Sequence, residues 1–427
     1  MDAHSVRQKH REFLFPCVTN YYETPIVLTS GRGACVSDME GREYIDFFGG
    51  ILTVSLGHCQ PDVVGAIREQ IGTLGHTSTL YPTENLVDLA ETVARLTPGR
   101  LKKSFFTNSG TEANETALLL ARLSTGSREI IALRHGYSGR SMVAMDLTGL
   151  GQYRLIAGQI PGIVHAHAPY CYRCPFKMEY PACDLHCARD VEELIRTQTS
   201  GRPAAFLAEA ILGLGGFITP PPEYFQIAVG IVRNHGGVFV CDEVQTGFGR
   251  TGTAWFGIEH YGVEPDIMTM AKGAANGMPI GITTARAELA DSLRGATIST
   301  FGGNPVSMAA ARATVGVMER EDVPARAERL GARLREFLSA MKDTYPFIGD
   351  VRGMGLMQAV ELVEDRASKE PSPQKAGEVM EATRREGLLI GRGGLYGNTL
   401  RLAPPMLISE TELDEACARL HRAFAAL

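Results

Sequence analysis

The stretch from Gly236 to Gly277 limits most strongly what this chain can fold into. It contains two short apolar runs, each of the kind that forms a strand buried on both faces of a sheet. The first run, Val238–Cys241, leads into a pair of carboxylates that begins with Asp242, and the second, Asp266–Lys272, ends in a lysine. Because open α/β sheets place ligands at the carboxyl ends of their strands, we expect both charges at one binding edge.

Each of the two charges also has a plain structural explanation. A lysine at a strand end is often solvated, and an aspartate there often caps a helix. Both explanations weaken when the two residues are taken together, because further polar motifs follow other apolar runs of the chain. We therefore treat Asp242 and Lys272 as candidate catalytic residues.

The composition is that of a globular protein, since 44% of the 427 residues are hydrophobic and 21% are charged. The net charge of −6 and the lack of long runs of like charge indicate neither a nucleic-acid partner nor a membrane partner. No apolar leader follows Met1, and the longest apolar stretch, Ala204–Ile218, is too short to cross a bilayer. The sequence thus predicts a cytoplasmic protein.

Strand and helix patterns alternate up to about residue 310, which predicts an α/β fold with a mostly parallel sheet covered by helices. We expect an N-terminal segment at 1–55, a large domain at 56–310 and a C-terminal segment at 311–427. The two terminal segments would join in one smaller α+β domain. In the last segment we expect helices at about 324–342, 373–386 and 409–426, with strands at about 356–362, 388–390 and 399–402. Ser409–Glu412 has the pattern of a capping box.

A second polar motif, Ser109-Gly110-Thr111, lies between an apolar run and an alanine-rich helix pattern. The first amides of a helix have no partner within it, and the helix dipole favours an anion there. The hydroxyls of Ser109 and Thr111 add donors, so the motif predicts a phosphate cradle without a Walker lysine. Simple helix capping by Thr111 is the alternative.

Two further residues stand at expected loop and strand ends. Tyr137 lies between glycines in a loop, where an aromatic ring is better placed to stack on a flat ligand than to pack in a core. Glu209 adds a third carboxylate at the end of an apolar run.

One glycine motif, taken alone, would indicate a dinucleotide-binding fold, because Gly247–Gly252 matches the G-x-G-x-x-G pattern of dinucleotide-binding loops. We reject that reading. Asp242 and Glu243 would repel a pyrophosphate, and the match lies late in the chain rather than in the first strand–helix turn.

The proline-rich stretch from Pro161 to Cys187 is expected to be an irregular surface insertion. It carries four of the nine cysteines, spaced first by two residues and then by three. Such spacing could hold a zinc ion, or the cysteines could simply pack in a reduced loop. Both possibilities stay open for Cys171, Cys174, Cys183 and Cys187, and we assign no metal.

A strand-end lysine, a strand-end carboxylate, a phosphate cradle and a stacking tyrosine together fit pyridoxal phosphate. Lys272 would form a Schiff base with the cofactor aldehyde. Asp242 would keep the pyridine nitrogen protonated, because an opposite charge within about 4–6 Å raises such a pKa by about 1–3 units. The ring could then accept electrons from a carbanion.

Six longer motifs, most of them around these residues, match the sequence pattern of one enzyme family. They are Tyr44–Ile51, Ser109–Asn114, Asp242–Gly252, Met270–Gly273, Thr300–Pro305 and Leu400–Pro405. Through them the chain resembles, along essentially its whole length, the class III, fold-type-I aminotransferases. The nearest group is that of alanine–glyoxylate aminotransferase type 2 and dialkylglycine decarboxylase.

The resemblance implies a cofactor role for most candidate residues. Lys272 would also move the proton between the substrate and the cofactor, and Gln245 would contact the ring hydroxyl. Thr300 would reach the phosphate of the other subunit's cofactor, which implies an obligate homodimer, possibly a tetramer, with shared active sites. The complete set implied at the cofactor is Ser109, Gly110, Thr111, Tyr137, Glu209, Asp242, Val244, Gln245, Lys272 and Thr300.

At the substrate, the resemblance implies that Arg401 clamps a carboxylate through two parallel hydrogen bonds. It also implies that Glu209 pairs with Arg401 when no such substrate is bound. The chain departs from the family at Ser138, where a histidine is frequent, and at Ala210, where a proline is frequent. The first departure leaves the stacking role of Tyr137 intact.

These observations predict a pyridoxal-phosphate-dependent aminotransferase that moves an amino group between an amino acid or amine donor and a 2-oxo acid such as pyruvate or glyoxylate. A lyase on the same scaffold is the alternative, as a decarboxylase, an ammonia-lyase or a phospho-lyase. A cofactor-binding protein without turnover is a third possibility, against which the intact Lys272 and Asp242 argue.

Overall fold

The computed structural model describes residues 1–156 and 160–427. Its strands, numbered in chain order, are β1 (Leu28–Arg32), β2 (Cys35–Asp38), β3 (Glu43–Asp46), β4 (Leu101–Thr107), β5 (Ile130–Leu133), β6 (Ile163–Ala166), β7 (Ala205–Glu209), β8 (Val238–Asp242), β9 (Ile267–Met270), β10 (Gly281–Arg286), β11 (Ile348–Met354), β12 (Met357–Leu362), β13 (Leu388–Leu389), β14 (Gly391–Gly393) and β15 (Thr399–Leu402).

The helices are α1 (Ala3–Phe13), α2 (Gly49–Leu52), α3 (Pro61–Thr73), α4 (Glu84–Leu96), α5 (Gly110–Thr125), α6 (Met142–Leu147), α7 (His186–Gln198), α8 (Tyr224–Asn234), α9 (Ala287–Ala290), α10 (Pro305–Arg320), α11 (Val323–Thr344), α12 (Pro373–Arg385) and α13 (Glu410–Ala425). Short 3₁₀ turns connect some of these elements, among them Lys272–Ala275.

The central sheet has seven strands in the order β4-β10-β9-β8-β7-β5-β6. The five strands from β9 to β6 are mutually parallel, and β10 runs antiparallel to both of its neighbours. Every residue of β7, β8 and β9 is buried, as expected for strands covered on both faces. The mostly parallel α/β sheet predicted from the sequence is confirmed, and it brings the ends of β7, β8 and β9 side by side.

Two smaller sheets bring together distant parts of the chain. The first has the order β1-β2-β3-β13, and β13 pairs in parallel with β3, so it unites N-terminal and C-terminal residues. The second has the order β11-β12-β15-β14 and carries Arg401 on β15. This pairing is compatible with a small domain built from both termini, although the boundaries at 55 and 310 stay a prediction.

One local prediction is confirmed and another is wrong. The capping box of Ser409 and Glu412 opens α13 as expected, with Ser409 Oγ accepting from the Glu412 amide and the Glu412 carboxylate accepting from the Ser409 amide. The stretch expected to be irregular after Pro161 contains the edge strand Ile163–Ala166. Four residues of mixed polarity at a sheet edge carry too weak a pattern to separate them from a loop.

The glycines of the rejected dinucleotide motif have a packing role. Gly249 and Gly252 both adopt positive φ values of about 80°. A Cβ atom on Gly252 would lie 2.3 Å from Glu328 Oε2 and 2.9 Å from the Glu328 Cα atom, so α11 passes too close for a side chain there. The motif therefore allows the loop after β8 to lie against α11.

The four clustered cysteines line one small cavity together with Phe176 and His186. All four are free thiols, and burial raises the pKa of Cys187 to about 12. Within residues 1–156 and 160–427 no three side chains of His, Cys, Asp or Glu are arranged to hold a metal ion. The fold thus brings the four thiols, which form two pairs along the chain, around one cavity. In the described part of the chain, no helix combines the length and the apolar character needed to cross a membrane.

Candidate active site

A cavity of about 710 Å³ lies where β7, β8 and β9 end. Its wall contains ten residues singled out from the sequence, which are Ser109, Gly110, Thr111, Tyr137, Glu209, Asp242, Val244, Gln245, Lys272 and Arg401. The N-terminal segment closes one side through Thr19–Tyr22, Ile26 and Leu28, which sequence reasoning missed. The fold therefore gathers the ten predicted residues, which span 292 positions of the sequence from Ser109 to Arg401.

Asp242 is the last residue of β8 and is only 3% exposed. Its Oδ2 accepts a hydrogen bond of 2.8 Å from Asn114 Nδ2, and its Oδ1 accepts one of 3.0 Å from the Val244 amide. Burial raises the pKa of Asp242, while the two donors and Lys272 counteract the rise. The carboxylate is thus fixed in one orientation with its charge only partly compensated by the protein.

Asn114 is a site residue that was not recognised individually from the sequence. Its Nδ2 also donates to the Ser138 carbonyl at 2.9 Å, and its Oδ1 accepts from Thr269 Oγ1 at 2.7 Å. This buried amide therefore links α5, the Tyr137 loop, β8 and β9. The only sequence signal was its position in the Ser109–Asn114 motif. The sequence alone does not indicate which distant groups a helical asparagine will hydrogen-bond.

Lys272 follows β9 and begins the short turn Lys272–Ala275. Its φ angle of 44° lies in the left-handed region, which is uncommon for a residue with a long side chain and recurs at functional sites. Burial lowers the pKa of its amine, Asp242 and Glu209 counteract the fall, and Arg401 adds to it. A lowered pKa favours the neutral amine, which is the form that acts as nucleophile or base.

The predicted phosphate cradle lies at the first turn of α5. Ser109, rather than Thr111, caps the helix, because Ser109 Oγ accepts from the Glu112 amide at 3.2 Å. The capping alternative for Thr111 is therefore wrong. Thr111 Oγ1 accepts from the Arg140 amide at 3.2 Å, and it packs against Gly139, where a Cβ atom would come within 2.3 Å of it. Gly110 faces Val244, whose Cγ2 would lie 3.0 Å from a Cβ atom at position 110.

Glu209 ends β7 and orients the loops beside it. Its Oε1 accepts from the Tyr137 amide at 2.9 Å, and its Oε2 accepts from the Gly213 amide at 2.8 Å. Burial raises the pKa of Glu209, and the nearby charge of Asp242 raises it further. Tyr137 itself lines the cavity and meets Tyr153 edge to face, with ring centroids 5.8 Å apart.

Gln245 lies near the same loop, and its side chain is close to Gly213. A Cβ atom at Gly213 would come within 2.5 Å of three Gln245 side-chain atoms. The side-chain oxygen of Gln245 is buried and has no hydrogen-bond partner among the described residues. A buried polar atom of this kind is expected to meet a ligand group.

Arg401 lies on β15, and its guanidinium packs against two phenyl rings at the cavity wall. The guanidinium carbon is 4.8 Å from the Phe48 ring centre and 5.8 Å from that of Phe217. The expected ion pair with Glu209 is not formed, so that prediction is wrong. The two oxygens of Glu209 are occupied by backbone amides, and Arg401 donates instead to the carbonyl of Arg392.

Thr300 is the one candidate that does not line this cavity. It is exposed and stands between two exposed apolar residues, Ile298 and Phe301. Ser299 holds its loop beside the cradle, since Asn108 Nδ2 donates to Ser299 Oγ at 3.3 Å. The position of Thr300 outside its own cavity leaves its expected role toward a second subunit as a proposal.

The chain belongs to the class-III aminotransferases, whose family model matches residues 18–424. It is 41% identical to an alanine–glyoxylate aminotransferase 2 homologue of Arabidopsis thaliana, named as mitochondrial, over 96% of this chain and 85% of that protein. It is 39% identical to a leucine/methionine racemase of Thermococcus litoralis, over 96% and 93%. Among solved structures it resembles an amine transaminase of an uncultivated Pseudomonas species in a form bound to pyridoxal phosphate, with a TM-score of 0.90, 31% identity and coverage of 97% and 98%.

The protein is thus a pyridoxal-phosphate-dependent aminotransferase of fold type I. The residues present fit this cofactor on three observations of the cavity. The amides that open α5 offer an anion site at the cavity wall, where Ser109, Gly110 and Thr111 lie. Asp242 supplies a buried carboxylate, and Gln245 supplies a buried oxygen that lacks a partner.

Proposed function

We propose that this enzyme exchanges an amino group between a small amino acid and a 2-oxo acid such as pyruvate or glyoxylate. The observation that carries the proposal is the meeting of Lys272, Asp242 and Arg401 in one cavity. They combine an amine of lowered pKa, a fixed carboxylate and a guanidinium that can hold a substrate carboxylate. The Arabidopsis relative named for alanine and glyoxylate supports this choice of substrates.

The mechanism divides the work among the residues of the chain. When bound, pyridoxal phosphate supplies an aldehyde that takes up the amino group and a ring that stabilises negative charge. Asp242, held by Asn114 and the Val244 amide, presents its charge to the ring nitrogen. Lys272 would take a proton from the substrate carbon that bears the amino group and deliver it to the cofactor, for which a lowered amine pKa is favourable.

The cradle and the Tyr137 loop hold the cofactor in place. The first amides of α5 and the Thr111 hydroxyl would bind the phosphate, and Tyr137 would stack on the ring. Glu209 would keep the Tyr137 loop in position, because its Oε1 accepts a hydrogen bond from the Tyr137 amide. Arg401 orients the substrate through its carboxylate.

We also propose a homodimer as the active form, with Thr300 of one subunit near the cradle of its partner. The exposed apolar residues Ile298 and Phe301 beside Thr300 support a subunit contact at this place. The cytoplasmic location expected from the sequence stays a prediction, and the Arabidopsis relative is named as mitochondrial.

A different reaction outcome on the same scaffold is the second candidate. The relative named as a leucine/methionine racemase favours it, because that protein aligns over nearly the same length. A lyase outcome stays an alternative as well. All three outcomes need Lys272 and Asp242, so these residues do not separate them.

The test is a screen of amino donors, L-alanine first, against pyruvate, glyoxylate and 2-oxoglutarate. We expect new amino acid and keto acid in equal amounts. Inversion of one enantiomer without a keto acceptor would replace transamination by racemisation. Release of ammonia, phosphate or carbon dioxide in step with substrate loss would replace it by a lyase reaction.

A further inference from the structure

Arg250 is a buried cation that does not line the cofactor cavity. It belongs to the Gly247–Gly252 stretch after β8, and only 2% of it is exposed. Its Nη1 donates to the carbonyls of Leu356 and Pro404 at 3.2 and 2.5 Å, and its Nη2 donates to Ser55 Oγ at 3.4 Å. An apolar side chain would avoid the cost of burying a charge, so the value of Arg250 lies in the groups that it connects.

The three acceptors of Arg250 belong to three different segments of the chain. Ser55 lies in the N-terminal segment, shortly after α2, and Leu356 lies in the turn between β11 and β12. Pro404 follows the end of β15 by two residues and Arg401 by three. The Leu356 amide also donates to the Arg250 carbonyl at 3.1 Å. The guanidinium therefore ties the loop after β8 both to the N-terminal segment and to the sheet that carries Arg401.

The same junction lies against the turn that begins with Lys272. A Cβ atom on Gly273 would be 2.4 Å from Ser55 Oγ, so Ser55 lies against the residue that follows Lys272. The Ser55 carbonyl accepts from the Met406 amide at 2.7 Å. Ser55 thus connects the Lys272 turn on one side with Arg250 and the segment after β15 on the other.

Close packing leaves the junction little freedom to shift. Gly355 has a φ of 49°, and a Cβ atom there would be 2.7 Å from the Arg250 carbonyl oxygen and 2.5 Å from the Thr251 carbonyl carbon. The turn between β11 and β12 therefore lies directly on the loop after β8. A planar guanidinium presents its donors in a fixed fork, so it can hold acceptors in two directions at once, which a lysine cannot.

We propose that Arg250 is a positioning residue for the amino transfer, because its guanidinium fixes the segment that follows Arg401 against the Lys272 turn and so sets the separation of these two side chains across the cavity. The inference rests on the transamination proposed above and adds to it a residue outside the cavity. A misplacement of about 1 Å that originates far from the chemistry can cost about 10²-fold in rate. Arg250 acts through Arg401 and Lys272.

The first test compares Arg250→Met and Arg250→Lys with the wild-type holoenzyme. The half-reaction with L-alanine is followed by the loss of the cofactor absorbance band and normalised to bound cofactor. We expect kcat/KM to fall at least about tenfold in Arg250→Met and at least about threefold in Arg250→Lys. Affinity of the apoenzyme for pyridoxal phosphate should change less than about threefold, because the cradle at α5 is not bonded to Arg250.

An unchanged kcat/KM in either variant would overturn the proposal, and Arg250→Lys decides alone if Arg250→Met does not fold. A loss of cofactor affinity as large as the loss in kcat/KM would also overturn it, since Arg250 would then only support the fold.

Arg335→Lys is the matched control for a loss of stability. Arg335 also donates to a backbone carbonyl, that of Gly353, and to Gln358 Oε1 at 2.6 Å, but it joins α11 only to the sheet that carries Arg401. We expect a lower midpoint of urea unfolding and an unchanged kcat/KM per bound cofactor. If Arg335→Lys lowers kcat/KM as much as Arg250→Lys does, general loosening explains both, and the role given to Arg250 is wrong.

Hydrogen exchange separates this proposal from the proposed function. The amides of Ala403 and Met406 donate to the carbonyls of Phe47 and Ser55, each at 2.7 Å, and report how firmly the segment after β15 is held. We expect both amides to exchange faster in Arg250→Lys than in the wild type. If they do, but the wild type reacts with no amino donor, transamination is wrong and the positioning of this segment stands. If both amides exchange at the wild-type rate, the proposal is overturned.

Discussion

At the scale of single residues, Lys272 is the clearest test of the chemistry. Lys272→Ala should reduce turnover by at least ~10²–10⁴-fold, because it removes the amine that moves the proton. The protein should still fold and bind the cofactor phosphate, since the cradle is built from other residues. Reduction of the wild-type holoenzyme with borohydride, followed by peptide mapping, should label Lys272. A label on another lysine, or full turnover in the variant, would contradict the assignment.

A substitution at Asn114 tests how the Asp242 carboxylate is positioned, without changing Asp242 itself. Asn114→Ala leaves Thr269 Oγ1 and one Asp242 oxygen without their partner, so we expect a loss of about 1–3 kcal/mol in the free energy of unfolding. Together with Thr269→Val and the double variant, it forms a double-mutant cycle. The cycle gives the coupling energy between Asn114 and Thr269. A coupling energy near zero in urea unfolding would show that the two side chains act independently. Rescue of turnover by Asn114→Gln would show that the amide, not the shape, is needed.

At the scale of elements, the close packing of the Tyr137 loop on α5 should control cofactor affinity. Gly139 has a φ of 135°, and a Cβ atom there would come within 2.3 Å of Thr111 Oγ1. We expect Gly139→Ala to displace Thr111 and weaken pyridoxal phosphate binding, measured by titration of the apoenzyme. Gly126→Ala is the control, because Gly126 also has a positive φ, of 71°, but has open space around it. That variant should lose about 1 kcal/mol of stability and keep its affinity.

The same scale shows what the sequence could and could not predict. The buried strands β7, β8 and β9 were recognisable because short apolar runs that end in polar residues are typical of strands covered on both faces. The edge strand Ile163–Ala166 was not, since its burial is partial and its pattern short.

The pattern of apolar and polar residues along the chain does not predict which side chains from distant segments meet. The link from Asn114 to Asp242 and the absence of an ion pair between Glu209 and Arg401 depend on three-dimensional distances. The family resemblance gave the residues, but only the folded chain gives the partners of each donor.

At the scale of the whole molecule, the remaining question is whether one chain makes a complete site. Thr300 is exposed and lies outside its own cavity, while the loop that carries it is tied by Ser299 to Asn108 beside the cradle. We expect Thr300→Ala to weaken cofactor binding, because a partner subunit would bring this hydroxyl to the phosphate. Titration of the apoenzyme with pyridoxal phosphate measures that loss.

Mixed dimers of Thr300→Ala and Lys272→Ala chains show whether the Thr300 hydroxyl serves the cofactor site of its own chain or that of the partner chain. If Thr300 serves its partner, one site of the heterodimer carries both defects and the other carries neither. Purified heterodimers should then show about half the wild-type activity at low cofactor concentration, whereas both parent homodimers are impaired. If Thr300 serves its own chain, each site keeps one defect and no activity returns. The two chains carry different tags, so that subunit exchange can be verified. A lack of activity in verified heterodimers then shows that Thr300 serves its own chain.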